Sequence, residues 1–126
     1  MKNLTPREFE VMQSVWKTEP ATVNDLADHL NSGKDEKVGR TTVLKIIQRL
    51  EETGYLKRDD GRPACYSSTV DAQTVTTRIT RNFTEKFFGA SPLEAVRCLL
   101  ENQELSPDEF EELQGIVNQL PTGKGS

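Results

Sequence analysis

At four places a Ser or Thr stands three residues ahead of an acid, each time at the head of an apolar stripe: Thr5-Pro6-Arg7-Glu8, Thr22-Val23-Asn24-Asp25, Ser91-Pro92-Leu93-Glu94 and Ser106-Pro107-Asp108-Glu109. The hydroxyl accepts from a free N–H of the first helical turn, the acid reaches back to the cap's own N–H, and its charge complements the positive helix end. Proline directly after the hydroxyl is harmless, because the first helical N–H has no partner within the helix. These boxes fix four helix starts, and the stripes behind them say what each helix buries. Phe9, Met12, Val15 and Trp16 predict a helix over residues 6–17, ended by Glu19-Pro20. Val23, Leu26, Ala27 and Leu30 predict a second over 23–31. Leu93, Val96, Leu99 and Leu100 predict one over 92–102. Phe110, Leu113, Ile116, Val117 and Leu120 predict the last over 107–120, stopped by Pro121 and followed by a frayed tail, TGKGS.

Between these lies GRTTVLKIIQRLEETGY, residues 39–55, after a polar loop over 31–39. Val43, Ile46, Ile47 and Leu50 recur at i, i+3, i+4, i+7, an amphipathic third helix that Gly54 closes in a left-handed cap. The period then changes. YLKRDDGRPACYSSTV, 55–70, predicts two short strands around an Asp60-Gly61 turn, with Pro63 at an exposed edge. A further helix follows over 71–88, where Val75, Ile79, Phe83 and Phe87 repeat every fourth residue.

The order helix, helix, helix, hairpin makes residues 1–70 one unit, a winged helix-turn-helix domain. Residues 71–126 carry long apolar stripes with little to cover them. Below ~70–80 residues a single core is seldom adequate alone, so this part is expected to be a three-helix dimerisation domain that pairs with its own copy. Its pairing residues are expected to be Val75, Ile79, Phe83, Phe87, Leu93, Val96, Leu99, Leu100, Phe110, Leu113, Ile116, Val117 and Leu120. The fold class expected is mainly α with a small β-hairpin.

On the third helix, Thr41, Thr42, Lys45, Gln48 and Arg49 fall opposite the apolar stripe, with no acid on that side until Glu52. These side chains offer donors, acceptors and methyls suited to base edges and phosphates in a major groove. Arg40 precedes them, and Lys57, Arg58 and Arg62 surround the hairpin tip as a basic wing. The acidic total, 16 Lys+Arg against 20 Asp+Glu, does not oppose this. Residues 1–70 hold eleven of each sign, whereas 71–126 hold five basic and nine acidic. A local basic patch can bind phosphate because the Debye length is only ~8 Å at physiological salt. Double-stranded DNA is thus the expected partner. Two other readings stay open, a protein-interaction scaffold and a small-molecule-sensing regulator on the same fold.

Little else in the chain suggests chemistry. Cys65 and Cys98 lack metal or redox spacing; Cys98 is expected to be a small buried hydrophobe and Cys65 a semi-exposed structural thiol. His29 is expected to be a surface residue, Trp16 core and Glu111-Glu112 a solvated face. No nucleophile–base–orienter set is discernible, so neither an enzyme nor a cofactor or metal is expected. No apolar run approaches ~18 residues, and MKNLTPREFE has no apolar core of a signal peptide. The expectation is a cytoplasmic protein without a membrane partner.

The segments LTPREFEVMQSVW, GRTTVLKIIQRLEETGYLKRDDGRPACYS and LSPDEFEELQGIVNQL resemble the BlaI/MecI/CopY family of bacterial repressors, the penicillinase-repressor type, in order and over nearly the whole chain. The resemblance implies a homodimeric winged-helix repressor on a palindromic operator, with the C-terminal helices as dimer interface. It matches Thr41, Thr42 and Lys45 to groove-facing positions, Arg40 and Arg49 to phosphate contacts, and Lys57, Arg58 and Arg62 to the wing. Some members are inactivated by a regulatory protease at an Asn-Phe pair, which falls here at Cys98-Leu99, so those residues are absent. The Cys-x-Cys pairs of the copper-responsive branch are also missing from the tail.

Overall fold

The computed structural model describes residues 3–121; the expected tail, 122–126, lies outside them. Among the described residues, six helices and one hairpin follow in the order α1 (Pro6–Thr18), α2 (Val23–Asn31), α3 (Arg40–Glu52), β1 (Leu56–Arg58), β2 (Tyr66–Ser68), α4 (Ala72–Phe88), α5 (Pro92–Asn102) and α6 (Pro107–Gln119). Thr5, Thr22 and Ser106 each form the reciprocal capping box, and Ser91 accepts from the N–H of Glu94. Each such cap stabilises its helix by about 0.5–2 kcal/mol.

The chain divides into two compact units, one ending at Thr80 and one beginning at Arg81. The first is built around one core. Val11, Met12 and Val15 of α1, Leu26, Ala27 and Leu30 of α2, and Val43, Ile47 and Leu50 of α3 meet there. Tyr55, Leu56 and Tyr66 close it from the hairpin side. Phe9 and Trp16 pack edge to face at its margin, with ring centroids 5.9 Å apart. α3 ends in a Schellman motif: Tyr55 N–H donates to Leu50 O at 2.9 Å, Gly54 N–H to Glu51 O at 3.2 Å, and Gly54 takes φ 93°.

The hairpin forms where expected, with a longer connection than its turn residues alone define. The strands are three residues each, in the register Leu56↔Ser68, Lys57↔Ser67, Arg58↔Tyr66, so the connection around Asp60-Gly61 spans 59–65. Asp59 explains this length, because its carboxylate closes the loop across to Cys65. β2 also has a second neighbour: Ala21 and Tyr66 exchange hydrogen bonds of 3.1 and 2.7 Å. The wing is thereby tied to the α1–α2 connection as well as to β1.

The unit boundary also falls later than residue 70. Val75 is 1% exposed within the first core and Ile79 packs against it. Trp16 Nε1 donates to Val70 O at 3.0 Å, and Arg78 donates to the Tyr55 hydroxyl at 3.3 Å. Val75 and Ile79 therefore serve the first core and leave the expected pairing set.

In the second unit, neither α5 nor α6 buries any residue. Phe87 is 62% exposed, Leu93 65% and Leu120 59%, while Leu113 is half-buried. Cys98, expected to be buried, is exposed, on a helix none of whose residues is fully buried.

Gly54 tests the fold directly. At φ 93° an L side chain is strained, so Gly54→Ala should lower stability by about 1–2 kcal/mol. Urea unfolding should show the lower midpoint with an unchanged slope; an unchanged midpoint would contradict the cap.

Candidate nucleic-acid interface

The interface is built on the rotation of α3. Burial of Val43, Ile47 and Leu50 leaves Thr41, Thr42, Lys45, Gln48 and Arg49 exposed along the other side. Ile46, placed by its spacing in the apolar stripe, is half-buried at the margin of the core. Gly39 caps α3 through its backbone alone, and the first turn carries no acid. The approach to α3 is ordered by Asn31, whose side chain accepts from Val38 N–H at 2.7 Å and donates to Val38 O at 2.9 Å. That bidentate clasp sets the loop between α2 and α3.

Arg40, Arg49 and Arg58, all expected on or beside this face, have protein partners. Arg40 donates from Nε to Asn24 Oδ1 on α2. Arg49 Nε lies 3.7 Å from Glu8 Oε2 on α1, and Arg58 Nε lies 3.7 Å from Glu51 Oε2 on α3. Glu8, Asn24 and Glu51 do not stand out in the sequence. Glu8 reads as a cap residue, and nothing in local spacing identifies a partner far along the chain. The partly exposed Arg58–Glu51 pair adds little stability, about 0–1 kcal/mol.

The wing brings Lys57, Arg58 and Arg62 to the surface. Its loop is ordered by one carboxylate. Asp59 Oδ1 accepts from Cys65 N–H and Gly61 N–H, both at 2.9 Å, and Asp59 N–H donates to Cys65 O at 3.0 Å. A Cβ on Gly61 would stand 3.0 Å from both Asp59 Oδ1 and Pro63 O, a tight fit against the clasp. The amide donors, Cys65 first and Gly61 second, hold the Asp59 carboxyl below the ordinary aspartate value.

The remaining chemistry-bearing residues lie elsewhere. His29 is exposed, as expected, and its Nδ1 is 3.0 Å from the hydroxyl of buried Ser14. Cys65 is half-buried. Among the described residues no three His, Cys, Asp or Glu side chains gather as a metal site, and no helix is long and apolar enough to cross a membrane.

Comparison with known proteins identifies the family. The profile of the penicillinase repressor family matches residues 4–119. The methicillin resistance regulatory protein MecI of Staphylococcus aureus is 28% identical over 116 residues, covering 91% of this chain and 93% of its own length. The penicillinase repressor of Bacillus licheniformis is 26% identical over 117 residues, covering 92% and 90%. In fold, the chain resembles Staphylococcus aureus MarR, solved with salicylate and kanamycin, at TM-score 0.55 and 12% identity over 92% of this chain and 70% of that one. It also resembles BpsR of Bordetella bronchiseptica at TM-score 0.50 and 21% identity, over 76% and 70%.

Asp59 gives the wing a pH signature. Its carboxyl is held below the ordinary value, so the stabilisation it lends the loop is complete above that value. It is lost as the pH falls through the lower folded value. The Gly61 and Cys65 amide resonances should therefore move together on the acid side of the ordinary aspartate pKa, and Asp59→Ala should abolish that step. Amides that titrate at the ordinary value, or not at all, would contradict the clasp.

Proposed function

The chain belongs to the penicillinase repressor family and is a DNA-binding transcriptional repressor, not an enzyme; we propose that it works as a homodimer on a palindromic operator. The observation that carries this reading is the clean division of α3. Its apolar side is consumed by the core, while Thr41, Thr42, Lys45 and Gln48 stand exposed in a row. The major groove, ~12 Å wide, admits one helix. In this reading Thr41, Thr42, Lys45 and Gln48 meet base edges. Arg40 and Arg49 grip the flanking phosphates, and Lys57, Arg58 and Arg62 of the wing lie on the adjacent backbone. A scaffold that binds protein through this face would need apolar side chains where these polar ones stand.

Dimerisation is assigned to the second unit. Phe83, Phe87, Leu93, Val96, Leu99, Leu100, Phe110, Ile116, Val117 and Leu120 are all exposed in the single chain, and half-buried Leu113 lies among them. Large exposed apolar surface of this kind marks an interaction site. Pairing two chains through it would present two copies of α3 to half-sites ~10 bp apart or a multiple of that. Occupancy would exclude transcription machinery from the promoter, in the cytoplasm where the DNA is. Cleavage by a regulatory protease at Cys98-Leu99 is not part of this proposal, since the residues there are not those expected of the cleaved members.

The test is binding to the protein's own promoter and to random duplex by fluorescence anisotropy. Lys45→Ala and Thr42→Ala should each cost about 1–3 kcal/mol of discrimination. Lys57→Ala and Arg62→Ala should weaken both duplexes alike and flatten the log–log salt slope by ~0.9 for each phosphate no longer neutralised. Phe87→Glu with Ile116→Glu should give a monomer by light scattering and lose promoter preference. Equal effects of all these changes on both duplexes would refute the division of roles, and a monomeric wild type would refute the dimer.

A further inference from the structure

Arg40, Arg49 and Arg58 share one geometric feature. Each faces a protein partner through Nε, Arg40 by a hydrogen bond and Arg49 and Arg58 by ion-pair contacts of 3.7 Å. Each acceptor also belongs to a different element from its arginine: Asn24 on α2 for Arg40 on α3, Glu8 on α1 for Arg49 on α3, and Glu51 on α3 for Arg58 on β1. A guanidinium has five N–H donors, of which Nε supplies one and the two terminal nitrogens supply four. A hydrogen bond at Nε, as in Arg40, fixes the plane of the group, and an ion-pair contact there, as in Arg49 and Arg58, restricts its position; neither uses the terminal pair, the part that forks onto phosphate. A free arginine must give up much rotamer freedom to grip a phosphate; one already held gives up less.

We propose that Glu8, Asn24 and Glu51 are positioning residues for DNA binding, each presenting an arginine as a preset phosphate fork. The inference rests on the reading of α3 and the wing as the DNA face, and adds the residues behind that face. Glu8 suits the task because its carboxylate is fixed from both sides. Oε1 accepts from Thr5 N–H at 2.8 Å, Oε2 faces Arg49, and the side chain is 12% exposed. Glu51 joins the recognition helix to the wing, so that the two contact regions keep one spacing. Asn24 is exposed on the first turn of α2 and takes no part in that helix's capping box, which uses Thr22 and Asp25. It is also uncharged, so its loss removes an acceptor without altering repulsion from DNA. For the two glutamates the charge itself repels phosphate, and only an acceptor-retaining glutamine separates the two effects.

The experiment is a set of double-mutant cycles read as affinity for a short mixed-sequence duplex at low salt. That probe suffices because phosphate contacts carry no sequence information. Asn24→Ala should weaken binding about threefold to tenfold and have no effect in an Arg40→Ala background. Glu51→Ala should behave likewise against Arg58→Ala, whereas Glu51→Gln should bind at least as well as the wild type. Unchanged melting temperatures for the Asn24 and Glu51 variants would set these losses apart from unfolding. If Arg40→Ala and Arg58→Ala weaken binding but Asn24→Ala and Glu51→Ala do not, or if the paired effects simply add, positioning is overturned and the DNA face stands. If neither arginine substitution weakens binding, the assignment of those arginines to phosphate fails, and the positioning inference fails with it.

Discussion

Val43, Ile47 and Leu50 are fully buried between α1 and α2, and that packing sets the rotation of α3 about its own axis. A helix with three residues locked at i, i+4 and i+7 cannot turn without exposing one of them. Removing such a side chain from a close-packed core costs about 2–5 kcal/mol. The same lock that stabilises the first unit therefore decides which side chains α3 presents outward, the face proposed to meet DNA. The Schellman turn at Gly54 then sends the chain into β1, so the wing's placement follows from where α3 ends. Ala21 and Tyr66 fasten the wing's second strand back to the α1–α2 connection. Core, α3 and hairpin are one mechanical object.

The second unit lives under the opposite constraint. Its helices are well capped and amphipathic, yet among the described residues their stripes stay largely exposed. A segment this small cannot close an adequate core alone. Local signals make the helices, and a second copy would supply their burial. In that reading, association and DNA recognition are linked through α4, whose first half is packed into the first core through Val75 while its second half carries Phe83 and Phe87.

Features written into local chemistry are readable from the sequence: the caps at Thr5, Thr22 and Ser106, the stripe of α3, the glycine after it, and the exposed face of Thr41, Thr42, Lys45 and Gln48. What escapes depends on distant partners. Val75 and Ile79 repeat in register with Phe83 and Phe87, so periodicity assigns all four to one surface; only packing against the first core separates them. Three-residue strands are too short for a period of two to mark their ends, and the Asp59 clasp is invisible until Cys65 is seen opposite. The held arginines escape because Glu8, Asn24 and Glu51 each already have an ordinary local explanation.

The central claim is that the outer side of α3 and the wing together form the DNA-binding face. Amide shift mapping of the isotope-labelled protein on addition of a duplex carrying its own promoter tests this most directly. The account predicts changes concentrated at Arg40–Arg49 and Lys57–Arg62. Changes confined to residues 83–120, or none at promoter concentrations that saturate binding, would contradict it.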